Sequence, residues 1–112
     1  MNASQYIYTL RVTRLEMLST GPSAEESEVL QQHVSYLEHL TVTGNVLLSG
    51  RTQTTDASTF GIVIINATTE ERATEIMAND PAIRGGVMSG ELFPYRIALV
   101  SPDILGDLPG DA

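Results

Sequence analysis

The stretch Thr59-Phe-Gly-Ile-Val-Ile-Ile-Asn-Ala67 decides the fold of this chain, because it predicts a strand that is apolar on both faces. Side chains alternate across a strand. The two faces therefore carry Phe60, Ile62 and Ile64 on one side and Val63, Ile65 and Ala67 on the other. A strand of this kind is expected to be covered on both faces, so the rest of the molecule must supply two covers.

The flanking sequence predicts two helices and three further strands. In chain order the predicted elements are a strand over 5–14, a helix from Ser23 to about Thr41, a strand over 46–53, the strand over 59–67, a helix over 68–79 and a strand within 89–100. The order β-α-β-β-α-β, without a repeat or a linker, is typical of the ferredoxin-like fold. We therefore expect an α+β domain with an antiparallel sheet and two helices on one face.

Capping-box patterns mark the start of both helices. Ser23 is followed by Glu26, and Thr68 is followed by Glu71, each at the spacing of a capping box. The segment 15–22, before the first helix, is predicted to be a loop. The buried stripe of that helix is predicted from helical spacing to contain Val29, Leu30, His33, Val34, Leu37 and Leu40.

Two prolines constrain the second half of the chain. Asp80-Pro81 ends the second helix, because the residue before a proline is disfavoured in the helical region. A short turn over 81–84 should follow. Pro94 cannot donate a hydrogen bond to a ladder, so the last strand is expected at a sheet edge or with a bulge.

The sheet face opposite the helices needs a cover that this chain does not supply. A second copy of the chain is the simplest cover, so we expect a homodimer that forms through the sheet. The alternative is a modestly apolar face in contact with solvent, since much of any protein surface is apolar.

Composition limits the class of protein. A chain of 112 residues has room for one domain, predicted over 1–100, with an acidic and flexible tail over 101–112. The net charge of −8 disfavours binding to nucleic acid or to an anionic membrane. No signal peptide and no membrane-spanning stretch are evident. The absence of cysteine excludes disulfides and thiolate catalysis, and it favours a cytoplasmic location.

The residue inventory also argues against a cofactor or a metal. The absence of lysine excludes Schiff-base chemistry and the lysine of phosphate-binding loops. The glycines do not form a dinucleotide-binding fingerprint. The two histidines, His33 and His39, have no zinc-ligand spacing around them.

His33 and Asp80 are the candidate catalytic residues. His33 lies in the predicted buried stripe, where a neutral imidazole is a usable base; the alternative is a core histidine with one hydrogen bond. Asp80 could orient a histidine from the rim of the core, or it could cap a short turn that has Pro81 at its first position. These two roles are compatible. His39 is predicted to lie on the surface.

Three further residues are candidates for substrate binding. Gly50 lets a ligand approach the strand backbone, and its neighbours Ser49 and Arg51 could bind an anionic or carbonyl group. The alternative there is a bulge with a solvated arginine. Tyr8 is the third candidate, although the chain's tyrosines are also typical of core or interface aromatics.

A series of short motifs runs through the chain in a fixed order. They are Glu25-Glu26, His33-Val-Ser-Tyr-Leu37, Gly44-Asn-Val-Leu-Leu-Ser-Gly-Arg51, Phe60-Gly-Ile-Val-Ile64, Glu70-Glu-Arg-Ala73, Asn79-Asp-Pro-Ala82, Gly86-Val-Met88 and Glu91-Leu-Phe-Pro-Tyr95. Together, from about Tyr6 to Leu99, they resemble the YCII-related family of dimeric α+β barrels.

The resemblance implies a polar pair in a pocket between helix and sheet, at the positions of His33 and Asp80. Most of the family lacks an assigned activity, and some relatives are associated with hydrolase-like or elimination chemistry on small, often aromatic, compounds. Many members carry a small residue and a proline after the strand glycine. Arg51 departs from that pattern, and we expect it to alter the pocket entrance.

Two functions therefore remain open. The first is a cofactor-independent acid/base enzyme for elimination, isomerisation or hydrolysis of a small molecule, in which His33 moves a proton and Asp80 fixes its tautomer. The second is a non-catalytic homodimer with a ligand-binding or regulatory role. In it the same pair holds a bound metabolite or only completes the hydrogen bonding of the core.

Overall fold

The computed structural model describes residues 4–106, which contain a four-stranded sheet and five helices. In chain order the elements are β1 (Gln5–Val12), α1 (Glu16–Thr20), α2 (Ala24–Val42), β2 (Val46–Arg51), β3 (Gly61–Asn66), α3 (Glu70–Ala78), α4 (Pro81–Arg84), β4 (Met88–Tyr95) and α5 (Asp103–Gly106).

The strands form one antiparallel sheet in the order β2-β3-β1-β4. The two central strands, β1 and β3, are therefore the first and third strands in chain order, as the split β-α-β arrangement requires. The predicted α+β, ferredoxin-like fold class is confirmed. β4 is an edge strand and contains Pro94, as the missing donor of a proline demands.

The core lies between one face of the sheet and the long helices. Tyr6 and Tyr8 of β1 pair with Ile65 and Val63 of β3, and all four side chains are buried. They form one cluster with Leu40, Ala73 and Ile76, which come from the two helices above them. Burying an aliphatic side chain of this size stabilises the fold by about 1.5–3 kcal/mol.

The opposite face of the sheet lies outside this cluster. Ile62 and Ile64 of β3 point there, beside Ile7 of β1. Phe93 and Tyr95 of β4 share this face, with 46% and 41% of their surface exposed. The prediction that β3 carries apolar side chains on both faces is confirmed.

The helix starts agree with the capping patterns to within one residue. Ser23 and Glu26 form the predicted capping box at the start of α2. The cap of α3 is Thr69, whose hydroxyl accepts from the Arg72 N–H, and not Thr68 as predicted. Adjacent threonines can both cap a helix, so the sequence pattern alone does not choose between them.

Two predictions near α2 are wrong. The segment 15–22 is not wholly a loop, because it contains α1, which tucks Met17 into the interior without a side-chain cap. Val34 is 51% exposed although helical spacing placed it in the buried stripe. The reason is that an open pocket, and not packed core, lies beside this part of α2.

The chain beyond β4 contains the short helix α5, within the stretch predicted to be a tail. Residues 107–112 of that stretch lie outside the described residues. Within residues 4–106, none of the helices combines the length and the apolar character that crossing a bilayer requires.

Candidate active site

Asp80 is the centre of the candidate site. It lies between α3 and α4, in the extended conformation that its following proline favours, and its side chain is completely buried. No other charged residue of the described chain is buried. A buried carboxylate is stable only when hydrogen bonds replace its lost water, so its partners define the site.

Three donors from three separate elements surround the Asp80 carboxylate. The backbone N–H of Ala82 donates to Oδ1 at 3.0 Å, which makes Asp80 the N-cap of α4. The Tyr8 hydroxyl, from β1, donates to Oδ2 at 2.8 Å. The Nδ1 atom of His33, from α2, lies 2.6 Å from Oδ1. The structure thus brings His33 and Asp80 together and shows that Asp80 also acts as a cap.

The Tyr8 hydroxyl is a fixed donor. Burial, and then the adjacent Asp80 charge and hydrogen bond, raises the pKa of Tyr8 far above the ordinary value for a phenol. The hydroxyl is therefore protonated, and able to donate, at neutral pH. It holds one oxygen of Asp80 and leaves the other to His33 and the cap.

The hydrogen bonds assign the tautomer of His33. An ionised carboxylate only accepts hydrogen bonds, so the ring nitrogen next to Asp80 must be the one that carries a hydrogen. The neutral ring then has its lone pair on Nε2. No residue within 4–106 makes a hydrogen bond to that nitrogen, and the His33 side chain is 12% exposed.

A second tyrosine supports the arrangement from the side. The hydroxyl of Tyr36, one helical turn after His33, donates to the backbone carbonyl of Ile76 at 2.7 Å. This bond ties α2 to α3 next to Asp80. Burial, and then the charge of Asp80, raises the pKa of Tyr36, so this hydroxyl also remains a donor.

A pocket of about 430 Å³ lies between α2 and the edge of the sheet formed by β2 and β3. Its lining includes His33, Ser49 and Arg51. Ser49 and Arg51 pair with Val63 and Gly61, so their side chains leave the sheet on the helix side. The size of the pocket fits a small organic molecule.

The pocket brings together three of the five predicted site residues, with Asp80 directly behind His33. Tyr8 is not part of the pocket lining, because its ring is buried in the core and its hydroxyl is bound to Asp80. The substrate contact predicted for Tyr8 stays a prediction. His39, as predicted, is exposed on the outer side of α2.

The bond between Tyr8 and Asp80 is the feature of the site that sequence reasoning missed. A signal for it existed: strand alternation places Tyr8 on the core face, and a buried tyrosine hydroxyl usually finds a hydrogen-bond partner. The identity of the partner, which is 72 residues away, could not be read from spacing.

Metal ligation has no evident place near this site. Within the described range 4–106, His, Asp and Glu side chains do not gather in any group of three or more that could hold a metal ion. The chemistry available from the described side chains is proton transfer by an imidazole with an oriented carboxylate behind it.

Comparison with solved structures gives a similar fold. The structure of the 5-chloro-2-hydroxyhydroquinone dehydrochlorinase (TftG) from Burkholderia phenoliruptrix, in complex with 2,5-dihydroxybenzoquinone, matches with a TM-score of 0.57 and 19% sequence identity. The match covers 81% of this chain and 93% of the dehydrochlorinase chain. At this identity the likeness extends to the fold alone.

Sequence comparison identifies the family. None of the curated proteins matches the chain. Residues 10–95 match the YCII-related domain, which is well over half of the sequence and includes all the strands in whole or in part. The chain therefore belongs to the YCII-related family.

Proposed function

We propose that this protein is a cofactor-independent acid/base enzyme that acts on a small molecule, with His33 as the proton-transferring residue and Asp80 as its orienting partner. Proton abstraction coupled to elimination is the reaction that we favour. Isomerisation and hydrolysis use the same pair and are the other outcomes of the test below.

The geometry around His33 is the observation that carries the proposal. Its Nδ1 is held 2.6 Å from a completely buried carboxylate, while the ring itself lines a pocket of ligand size. This is how a carboxylate orients an imidazole base in known acid/base sites: it fixes the tautomer and stabilises the imidazolium that forms. An imidazole that only satisfied the core would not need to face open space.

The elimination can be written with the atoms of this site. Nε2 of His33 takes a proton from a carbon next to the carbon that bears the leaving group. The electron pair of the broken C–H bond forms the new double bond, and the leaving group departs with its own pair. The Asp80 carboxylate stabilises the positive charge on the ring until solvent removes the proton.

Similarity to a dehydrochlorinase also favours elimination. TftG is named for the removal of hydrogen chloride, and it has the same fold. Ser49 and Arg51 face the pocket on the side of β2, where they can hold a polar group of a substrate. We propose no cofactor and no metal for this reaction.

We further infer that the protein acts as a homodimer that buries the sheet face opposite the helices. Phe93 and Tyr95 lie on that face and are both more than 40% exposed, beside the half-buried Ile7 and Ile62. Apolar surface of this kind is typical of an interface. A cytoplasmic location, suggested by the lack of cysteine, stays a prediction.

A second function is favoured by one specific observation. Asp80 caps α4 through the N–H of Ala82, so its side-chain oxygen would contribute to stability even without catalysis. On this view the protein is a non-catalytic dimer that binds a small ligand, and the pair is structural.

Turnover assays on two variants separate these functions. A panel of halogenated hydroquinones and β-halogenated carbonyl compounds would be screened for halide release and for double-bond formation by absorbance. We expect turnover by the wild-type protein and a loss of about 100-fold or more in Asp80→Asn and His33→Gln. Because asparagine also caps helices, Asp80→Asn should remain folded.

His39→Gln is the matched control, because it alters an exposed histidine on the same helix. Its activity should equal that of the wild type. Substantial activity in His33→Gln would overturn the proposal. Binding of panel compounds by the wild type without any chemical change would support the non-catalytic function instead.

A further inference from the structure

The pocket differs in charge from the rest of the molecule. The chain has 14 acidic residues and only six basic ones other than histidine. Among residues 4–106, however, the pocket lining contains no aspartate and no glutamate, and its charged and titratable side chains are Arg51 and His33. In a protein with a net charge of −8, a pocket wall that has a cation and no acid is a local exception.

The guanidinium of Arg51 has no side-chain partner among the described residues, whereas three other arginines do. Arg14 pairs with Glu26, Arg72 pairs with Glu75, and Arg11 lies over the ring of Phe60. The guanidinium of Arg51 makes no hydrogen bond or ion pair with any residue in the range 4–106. Its five donors are therefore available to a molecule in the pocket.

The polar groups of the pocket wall are arranged along one edge. Ser49 and Arg51 alternate on β2, so they lie about 7 Å apart on the same face of the sheet. Aliphatic and aromatic side chains form much of the remaining wall. Gly61, next to Arg51 in the sheet, adds no side chain to fill the space. A flat ligand can thus lie on an apolar surface with one polar end at β2.

We propose that the pocket selects compounds that carry a carboxylate, which Arg51 binds through its guanidinium fork with help from the Ser49 hydroxyl. The planar fork of arginine matches the two oxygens of a carboxylate, and no residue of the described pocket lining repels that charge. The inference rests on the proposed function in one respect: His33 then reacts with the part of the ligand away from the carboxylate.

The physical effect is a difference in affinity between charged and neutral ligands of the same shape. Arg51 is exposed, so solvent screens part of the attraction. We therefore expect a moderate preference, about fivefold or more, for an anion over its neutral isostere. The negative charge of the whole protein acts against this preference, so the preference must come from the local site.

Binding of benzoate and benzamide tests the proposal. The two probes have the same shape and differ in charge. Titrations followed by amide NMR shifts would give the dissociation constants for the wild type and for Arg51→Gln. We expect benzoate to bind at least about fivefold more tightly than benzamide to the wild type, and the preference to vanish in Arg51→Gln.

Arg96→Gln is the matched control, because it removes the same charge from an exposed arginine outside the pocket lining. It should keep the preference for benzoate. Arg51→Lys keeps the charge and loses the fork, so it should retain only part of the preference.

The proposal is overturned if benzoate and benzamide bind the wild type equally, or if neither binds. It is also overturned if Arg51→Gln keeps the preference, or if Arg51→Lys matches the wild type. The outcomes for Arg51 are distinguishable from those of the proposed function: Arg51→Gln should lose the preference for benzoate whether or not the protein is an enzyme, whereas the proposed function is tested by the turnover of His33→Gln.

Discussion

At the scale of single residues, the site depends on how one buried carboxylate divides its hydrogen bonds. Among the described residues, Oδ2 of Asp80 accepts from the Tyr8 hydroxyl alone, whereas Oδ1 accepts from both the His33 ring and the Ala82 N–H. Tyr8 is thus a positioning residue in our proposal. It acts on His33 only through Asp80.

Tyr8→Phe should lower the free energy of unfolding by about 1–3 kcal/mol, because it leaves a buried carboxylate oxygen without its donor. Urea unfolding followed by circular dichroism measures this loss. The ¹⁵N shifts of His33 should still report a hydrogen on Nδ1, since Oδ1 keeps its position at the cap.

Tyr36→Phe is the comparison for this change. It loses the bond to the Ile76 carbonyl and leaves the donors to Asp80 in place. A Tyr8→Phe protein as stable as the wild type would show that the Tyr8 hydroxyl contributes nothing to holding Asp80.

Local sequence patterns single out His33 and Asp80 separately, whereas the structure places the two side chains in contact. Helical spacing predicted the position of His33 near the core, and Asp-Pro predicted a cap at Asp80. Neither pattern predicts that residues 47 positions apart touch; only the resemblance to a family implied the pair. The hydrogen bond from Tyr8 to Asp80 was not predicted. Strand alternation tells which face of the sheet a side chain lies on, but not which residue of another element it contacts.

At the scale of elements, the start of α2 is held by an ion pair with Arg14 in addition to its own capping box. Glu26 is the N3 residue of that box, and its carboxylate also accepts from Arg14 Nε at 2.9 Å. Arg14 follows β1, so the pair joins the end of a strand to the first turn of the helix. The hydrogen bond from Arg14, and then that from the Ser23 backbone, lowers the pKa of Glu26 from about 4.5 to about 2.

This shift predicts how stability changes with pH. A carboxyl whose pKa is lower in the folded state stabilises the fold when it is ionised in both states, which is above about pH 4.5. The contribution decreases as the pH falls towards about 2. Glu26→Gln should therefore lose less stability than the wild type between pH 5 and pH 2, as measured by urea unfolding at a series of pH values.

Arg14→Gln provides the check, because it removes the same pair from the other side. Its stability should also depend less on pH over this range. If both variants followed the wild-type profile, the pair between Arg14 and Glu26 would not be the source of the effect.

Local sequence patterns predicted the helix ends well where one or two neighbouring residues determine the backbone conformation. Ser23 with Glu26 gave the start of α2, and Asp80-Pro81 gave both the end of α3 and the turn of α4. The burial of Val34 was wrong because helical spacing assumes a filled interior. A pocket is a property of how elements pack, so the pattern of one helix cannot show it.

At the scale of the whole molecule, the two faces of the sheet have different covers. The helices cover the face that contains Tyr8 and Val63, and the other face keeps Phe93 and Tyr95 partly exposed. The arrangement of strands could be predicted because the order of elements allows few topologies. The oligomeric state could be predicted only as the simplest cover for the second face.

Phe93→Glu should weaken the proposed dimer at least about tenfold, because it places a charge in an apolar interface. Size-exclusion chromatography with light scattering, over a range of protein concentrations, measures the change. The wild type should elute as a dimer. Phe93→Glu should already be partly monomeric at protein concentrations at which the wild type is still a dimer.

Val42→Glu is the matched variant, since Val42 is 87% exposed at the end of α2 and away from the sheet face. It should remain dimeric. A wild-type protein that is monomeric at every concentration, or a Phe93→Glu protein with the wild-type mass, would contradict the dimer.

The partners of Asp80 have a consequence for folding. They come from positions 8, 33 and 82, so two of the three bonds close chain segments of 72 and 47 residues. Contacts so distant in sequence form slowly, because the chain loses entropy on closing a long loop before the contact gives any stabilising free energy. A partly folded chain would thus have helices α2 and α3 but no oriented imidazole. Under the proposed function, activity would recover during refolding later than the helical signal.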